Sequence, residues 1–403
     1  MTSKERHLNR YKRRKQKRLD KIIERDKQYG NLEEIFSFIN LGQGYRKCRK
    51  ASLWKSSTQK YGSNLFTNSG KQRKKILKHK WHPYKFNEFD IIERGKPRHI
   101  FSLNIAEKSV QSTFCNNYLL PIITPHLIYN NGASLKGKGT QFSINHFEKS
   151  IHHHIKMYGF EGGILFFDFY HFFDEISHYK TKGILQKFII NKYLLYLLCL
   201  FIDCNNHGKD KGLGLGAQVN QILAILYPNY MDHIFTDKYS ITDYAHFMDD
   251  GYIISNNLEL LNFLNLELYK LCKSCKIIPN ENKCRIVKIT DNFNYLKKRY
   301  KLLNSGKLIR KLYKKNISIE KRKIRKMYKC VVDNIFTFED ANIRFHTYIC
   351  SLPIKYTTSI KIKMIRYFNF VFINYGKYYI PKDKHNKRIH NIKYALTKSQ
   401  NSV

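Results

Sequence analysis

The segment His246–Ile254 (HFMDDGYII) decides the fold, because two apolar runs flank an acidic pair. This pattern predicts a β-hairpin with Asp249 and Asp250 at its tip. Upstream, the wholly apolar strand ILFF ends at Asp168. A carboxylate at the end of a buried strand is costly unless it is neutralised, and a hard divalent cation bound through oxygen does so. An Asp pair is also common in ordinary turns. The joint occurrence of both clusters favours a two-Mg²⁺ site for in-line attack at phosphorus.

The acidic residues stand out because the chain is strongly basic. It has 403 residues, with 73 Lys and Arg against 31 Asp and Glu, a formal net charge of +42. Such a charge predicts a polyanionic partner, with nucleic acid first and an anionic membrane surface second. The 27 Phe and 29 Tyr supply a sizeable core and exclude a wholly disordered basic tail.

Bulk features also predict a cytoplasmic protein that does not span a membrane. Because a lipid surface would not need the three aspartates, no membrane partner is expected. The first 27 residues lack the apolar region of a signal peptide, and the apolar stretch 184–202 is interrupted by Lys187 and Lys192. Nine scattered cysteines fit a reducing compartment. Cys272-x-x-Cys275 raises a zinc alternative, against the simpler interpretation of two cysteines on a helix.

The remaining segments predict alternating helices and strands. The first 30 residues carry twelve Lys and Arg and four acids, which indicates a basic arm or helix. Residues 84–104 predict two strands joined at Arg94-Gly95. Further predictions are a helix over 217–238, an amphipathic helix over 257–276, a hairpin over 284–310 turning at 304–306, and a helical pattern from 317 to about 379 broken at Pro353.

Seven segments, in order over about 84–310, resemble motifs of reverse transcriptases. FMDDGYII (247–254) resembles the family's x-x-D-D hairpin, and ILFFDFYHFFDEISH (164–178) resembles its first catalytic aspartate strand. GLGLGAQVNQILAILYPNYMDHIF (212–235) is similar to motif B, although it lacks the G-x-G-x-x-G spacing of a dinucleotide site. The other four are FDIIERGKPRHIFSLNIAEKSVQ (89–111) and NNGASLKGKGT (130–140) for the fingers, and NENK (280–283) and NFNYLKKRYKLLNSGK (292–307) for motifs D and E.

The resemblance implies an α+β right-hand polymerase, with fingers, a palm of antiparallel sheet plus helices, and an α-helical thumb. The implied domains are a basic N-terminal extension with the start of the fingers (1–83), fingers and palm (84–300), and a helical basic thumb with a C-terminal tail (301–403). Fifteen Lys and Arg against one acid between Leu296 and Cys330 predict a basic face that follows a duplex backbone.

The resemblance also implies catalytic roles. Asp168, Asp249 and Asp250 would ligate two Mg²⁺ ions, for which Mn²⁺ could substitute. Lys283 would donate a proton to the pyrophosphate leaving group.

Five further residues would bind the nucleotide. Lys96 and Arg98 would hold the triphosphate. Phe173 would lie under the incoming sugar and leave no room for a 2′-hydroxyl. Gly216 would let the backbone approach the nascent pair, and Gln221 would lie near the template or nucleotide.

The implied function is RNA-directed DNA polymerisation. The implied partners are an RNA template, for which a dedicated non-coding RNA is one option, deoxynucleotides and the DNA product. Many relatives have Pro where this chain has Gln221, which is reminiscent of diversity-generating and abortive-infection polymerases; Phe247 likewise replaces the usual Tyr. A bacterial or phage-borne stand-alone polymerase of the defence-associated (abortive-infection or unknown-group) type is the first hypothesis. The reverse transcriptase of a diversity-generating retroelement is the second, and a catalytically idle RNA-binding scaffold is a third. Template, primer and homo-oligomer formation are left open.

Overall fold

The computed structural model describes residues 2–50, 52–84, 87–93, 96–205, 210–312, 314–352 and 354–381. The chain divides into a first unit, residues 1–289, and a second unit, residues 290–403. The predicted domain boundaries at 83/84 and 300/301 stay predictions.

The first unit contains the elements α1–α14 and β1–β6. Its helices are α1 Ser3–Tyr29, α2 Leu32–Ile35, α3 Phe38–Arg49, α4 Ser56–Ser63, α5 Leu65–Leu77, α6 Ile105–Phe114, α7 Leu120–Ile123, α8 Thr140–Tyr158, α9 Phe172–Glu175, α10 His178–Leu185, α11 Lys192–Asp203, α12 Gln218–Leu226, α13 Asn229–His233 and α14 Leu258–Cys275. Its strands are β1 Asn87–Glu93, β2 Lys96–Ser102, β3 Gly163–Asp168, β4 Tyr244–Phe247, β5 Asp250–Ser255 and β6 Arg285–Lys288.

A four-stranded sheet of order β4-β5-β3-β6 carries the site, and all its pairings are antiparallel. The central strand β3 is buried at every position. A strand buried on both faces reads as a continuous apolar run rather than an alternating one, which is the pattern of Ile164–Phe167. The sequence prediction of this strand is confirmed.

The long helices of the first unit pack by apolar stripes. On α14, Leu261, Leu264, Leu268 and Cys272 are buried, at the three- and four-residue spacing of one helix face. The helix ends at Lys276, whose positive φ of 54° terminates it with a left-handed cap. The amphipathic helix predicted over 257–276 is therefore confirmed.

Helix α1 also confirms its prediction. Thr2 and Glu5 form a capping box, in which each side chain bonds the other's backbone N–H. Residues 2–21 are exposed apart from the half-buried Asn9, and burial begins only in the last two turns.

The second unit combines a small sheet with three helices. Its elements are β7 Phe293–Tyr295, β8 Lys298–Leu302, β9 Leu308–Leu312, α15 Lys314–Val332, α16 Phe338–Ser351 and α17 Ile354–Val371. The sheet has the order β7-β8-β9. Aromatic rings dominate the helical core, where Phe345 and Phe368 stack with centroids 4.4 Å apart.

Three sequence predictions are corrected by the structure. The stretch 284–310 is not one hairpin: residues 285–288 form β6 and pair with β3, whereas the turn at 304–306 does join β8 to β9. The helix predicted over 217–238 is interrupted at Tyr227 and Pro228, and the last helix ends at Val371 rather than near Tyr379. Arg94, Gly95 and Pro353 lie outside the described residues.

Among the described residues, no helix has the length and apolar character needed to cross a bilayer.

Candidate active site

The three predicted carboxylates come together at one end of the sheet. Asp168 is the last residue of β3, and its register partner is Asp250, the first residue of β5. Asp249 lies in the two-residue turn between β4 and β5, where Met248 has a φ of +58°. The N–H of Phe169 donates to the carbonyl of Asp249 at 3.1 Å, so the chain leaving β3 is fixed to that turn.

A glycine makes this arrangement sterically feasible. Gly251 is the register partner of Phe167. A Cβ at Gly251 would lie 2.0 Å from the Phe167 ring, well inside van der Waals contact. The Asp-Asp-Gly order is therefore required by the close approach of β5 to the aromatic residue that precedes Asp168.

The loop between α14 and β6 holds the Asp168 carboxylate. Lys283 Nζ donates to Asp168 Oδ2 at 2.5 Å, and Asn280 Nδ2 donates to Oδ1 at 2.9 Å. The Asn280 N–H also donates to the Asp168 carbonyl at 2.8 Å. Sequence reasoning assigned a role to Lys283 but missed Asn280, although both belong to the same NENK segment.

Burial and mutual repulsion raise the pKa of the other two carboxylates. Burial, then the Asp168 charge, raises the pKa of Asp249. Burial, then Asp249 and a hydrogen bond with Asp168, raises the pKa of Asp250 to about 8. Burial acts to lower the pKa of Lys283, but the bond to Asp168 and the three carboxylate charges raise it overall.

The donor set fits a hard divalent cation, since three carboxylates converge and the one ammonium that pairs with them in the described part of the chain is that of Lys283. The raised pKa values of Asp249 and Asp250 show that this ammonium does not neutralise the cluster. Within the described ranges, no three His, Cys, Asp or Glu side chains are already arranged as a metal site. Asp168 directs both its oxygens to Lys283 and Asn280.

The predicted sugar-contacting residue lies beside the glycine-rich loop. Phe173 is half-buried on α9, and its carbonyl accepts from the Leu213 N–H at 2.7 Å. Gly216 has a φ of +121°, and a Cβ there would lie 3.0 Å from the Phe101 carbonyl oxygen. The Phe101 N–H donates to the Leu215 carbonyl at 3.3 Å, so β2 lies directly against this loop.

The other three predicted nucleotide-binding residues lie on β2 and on α12. Lys96 and Arg98 lie on β2, where they pair with Glu93 and Ile91; their side chains are outside the described part of the structure. Gln221 is exposed on α12.

A buried polar cluster lies next to the carboxylates, and the sequence analysis did not predict it. His246, on β4, bonds Asp232 Oδ1 through Nδ1 at 2.8 Å, and the Tyr244 hydroxyl donates to the same oxygen at 2.6 Å. All three side chains are at most 1% exposed. The His246 ring lies edge-on to Phe167 and Phe169, the two neighbours of Asp168. No periodicity marks this cluster, because its members come from two separate elements.

The cysteines of the proposed zinc motif are both free thiols. Cys272 is buried in the α14 stripe, and Cys275 is the last residue of that helix. Two cysteines on one helix are what the simpler interpretation of this motif expected.

Comparison with known proteins identifies the family. The model of the family described as reverse transcriptase (RNA-dependent DNA polymerase) matches residues 85–297, more than half of the chain. No curated protein sequence matches the chain.

Solved structures that resemble the chain include two telomerases. One is the Candida albicans telomerase in complex with the TWJ fragment of telomeric RNA, with 10% identity and a TM-score of 0.47, covering 81% of this chain and 65% of that chain. The other is the apo telomerase of Candida tropicalis truncated from its C-terminal domain, with 14% identity and a TM-score of 0.43, covering 56% and 55%. The chain thus spans less than two thirds of either structure.

The family match covers the two segments that carry Asp168, Asp249 and Asp250, the glycine-rich loop and the β1–β2 hairpin. The helices and antiparallel sheets form the right-hand polymerase fold that was predicted from the sequence. This chain belongs to the reverse transcriptase family.

Proposed function

We propose that the protein is an RNA-directed DNA polymerase that transfers deoxynucleotides to a primer hydroxyl and releases pyrophosphate. The observation that carries the proposal is the convergence of Asp168, Asp249 and Asp250 at one end of the sheet. A basic chain gains nothing in stability by crowding carboxylates, and the raised pKa values of Asp249 and Asp250 support a functional role for the cluster.

Asp168, Asp249 and Asp250 would hold the metal ions, with Asp168 and Asp249 as the principal ligands. Two bound Mg²⁺ ions, or Mn²⁺ in their place, would stabilise the entering and leaving oxygens of an in-line displacement. Asn280 fixes one oxygen of Asp168 and so orients its carboxylate. Lys283 is the proposed proton donor to the leaving group, and its raised pKa keeps it protonated.

Nucleotide selection would depend on Phe173 and its surroundings. The bond from Leu213 fixes the Phe173 backbone to the glycine-rich loop. The aromatic ring of Phe173 would exclude a 2′-hydroxyl. Lys96 and Arg98 would meet the triphosphate charge, and Gln221 would lie near the template or the nucleotide.

The partners of the reaction would be an RNA template, deoxynucleotides and the DNA product. The second unit supplies a surface for the duplex. On α15, Lys321, Arg322, Arg325 and Lys326 are exposed, whereas Ile324 is fully buried. Such a face neutralises phosphates without reading sequence.

The test is deoxynucleotide incorporation on an RNA template in Mg²⁺. Asp249→Ala combined with Asp250→Ala should abolish incorporation, and the exposed Asp291→Asn, as a matched control, should leave it unchanged. A wild-type protein that binds RNA tightly yet incorporates nothing across templates and primers would support the idle-scaffold alternative instead.

For the biological role we propose antiphage defence. Its support is the Gln221 departure in motif B, and the same residue is the reason to keep the diversity-generating retroelement as the second candidate. Phage plating should fall in cells that carry the gene and recover with the Asp249→Ala plus Asp250→Ala variant. Sequencing of the copurifying RNA and DNA would distinguish the candidates, because a template repeat with its variable gene points to the retroelement.

A further inference from the structure

Helix α1 carries a line of cations that the proposed catalytic site does not use. Residues 4–21 contain ten Lys and Arg against Glu5 and Asp20. The line consists of Arg6, Arg10, Arg13, Lys17 and Lys21, spaced by four, three, four and four residues. At 3.6 residues per turn these positions fall within about 80° of one another, one cation per turn over about 22 Å. We call them the cationic line.

The cationic line is fully available to a partner. All five residues are exposed, and within the described ranges none forms an ion pair with an acidic side chain. Like charges three and four residues apart destabilise a helix, as do cations near its N-terminus. A polyanion that places phosphates along the same face would reduce this repulsion between the cations.

Helix α1 is anchored to the rest of the first unit at its C-terminal end. Asp26 is 7% exposed and accepts from the Tyr118 hydroxyl at 2.5 Å and from the Asn191 N–H at 2.7 Å. Next to it, Arg25 Nη1 donates to His126 Nε2 at 2.9 Å. Burial and the Arg25 charge lower the pKa of His126 to about 4, so the ring is neutral and can accept. The helix therefore keeps a fixed direction relative to the first unit.

The surface of the helix favours a nucleic-acid duplex over the other polyanions. Single-stranded nucleic acid is usually bound by successive aromatic side chains, and Tyr11 is the one Phe, Tyr or Trp among residues 4–21. A lipid surface requires a continuous apolar face, but here Lys15 lies between Tyr11 and Leu19. A straight row of cations suits the regular phosphate backbone of a stem.

We propose that the cationic line of α1 binds the sugar-phosphate backbone of an RNA stem, independently of its sequence. The choice of RNA rests on the proposed function, since the template of an RNA-directed polymerase is RNA.

The experiment measures binding of the full chain to a labelled RNA hairpin across a series of salt concentrations. Changing Arg6, Arg10, Arg13, Lys17 and Lys21 to Gln should weaken binding at least tenfold at physiological salt. It should also reduce the slope of log K against log salt by about 4, at roughly 0.7–0.9 for each phosphate that is no longer neutralised. Gln keeps good helix propensity, and circular dichroism should show unchanged helix content.

The matched control removes four charges from the other side of the same helix. In that variant Lys4, Lys12, Lys15 and Arg18 become Gln, and the slope should change by less than about 1. An equal loss in both variants, or no loss in either, would overturn the proposal. Equal, line-dependent binding to vesicles with phosphatidylserine would also overturn it, in favour of a membrane.

Failure of the proposed function would be visible separately. The Asp249→Ala plus Asp250→Ala variant should bind the hairpin like the wild type while incorporating no nucleotide. If the wild-type chain binds the hairpin through the cationic line but incorporates no nucleotide, the RNA-stem proposal stands and the polymerase proposal is wrong.

Discussion

Asp168 and Asp250 are register partners on adjacent antiparallel strands, so their side chains lie on the same face of the sheet. Directly opposite residues have Cβ atoms about 5 Å apart, and like charges at that distance destabilise a sheet. The ammonium of Lys283 compensates part of the negative charge of the cluster. Stability and chemistry therefore make opposite demands on these residues.

Replacing Asp250 with Asn should separate these two demands. The neutral amide removes a charge that burial and its neighbours disfavour, so the free energy of unfolding should stay the same or rise. Incorporation of deoxynucleotides should fall by about 10³-fold or more, since a cluster without this carboxylate loses a proposed metal ligand. Urea denaturation and single-turnover kinetics measure the two effects. A variant that is less stable and still active would contradict the assignment.

Substitution of Lys283 tests the proposed proton donor. Lys283→Ala should lower kcat by about 10²-fold or more with a small change in KM, the range typical of lost general acid catalysis. Lys283→Arg should recover part of the rate. The control is Lys288→Ala, an exposed cation on β6, which should behave like the wild type. A change confined to KM would instead indicate that Lys283 only positions Asp168.

Phe173→Ala should relax sugar selection. Removal of the ring opens space beside the glycine-rich loop, and the preference for deoxynucleotides over ribonucleotides should fall by about 10- to 200-fold. Tyr170→Ala, an exposed ring three residues earlier, is the control. Competition between dCTP and CTP on one template measures the ratio. An unchanged ratio in Phe173→Ala would show that another group excludes the 2′-hydroxyl.

The buried pair of His246 and Asp232 should contribute strongly to stability. Removing one partner leaves a buried polar group without its partner, which costs about 3–5 kcal/mol when the group is charged. Asp232→Ala and His246→Ala should each destabilise the first unit. Their double variant should cost less than the sum, because both remove the same interaction. Additive losses would mean that the two side chains act independently.

Glu107 should make the stability of the first unit depend on pH. It is fully buried on α6, and burial raises its pKa from 4.5 to about 7. Because the folded state favours the protonated form, its contribution is complete below pH 4.5 and is lost as the pH rises through about 7. The loss is on the order of 3 kcal/mol. Glu107→Gln should remove this dependence and be the more stable protein at pH 8. Parallel pH profiles of the two proteins would contradict the assignment.

The sequence by itself determined the elements whose patterns are local. The apolar run before Asp168, the acidic turn at Asp249 and the stripe of α14 follow from rules that relate neighbouring residues. The same rules failed at residues 285–288, which look like half of a local hairpin. Those residues pair with β3, more than a hundred positions earlier.

Only the tertiary structure decided which side chains meet. Asn280 reaches Asp168, and Asp232 reaches His246, because separate elements converge on the end of one sheet. The anchoring of α1 through Asp26 depends in the same way on Tyr118 and Asn191. Hydrogen bonds between distant residues leave no periodic trace in a chain, since periodicity records only which face of its own element a residue occupies.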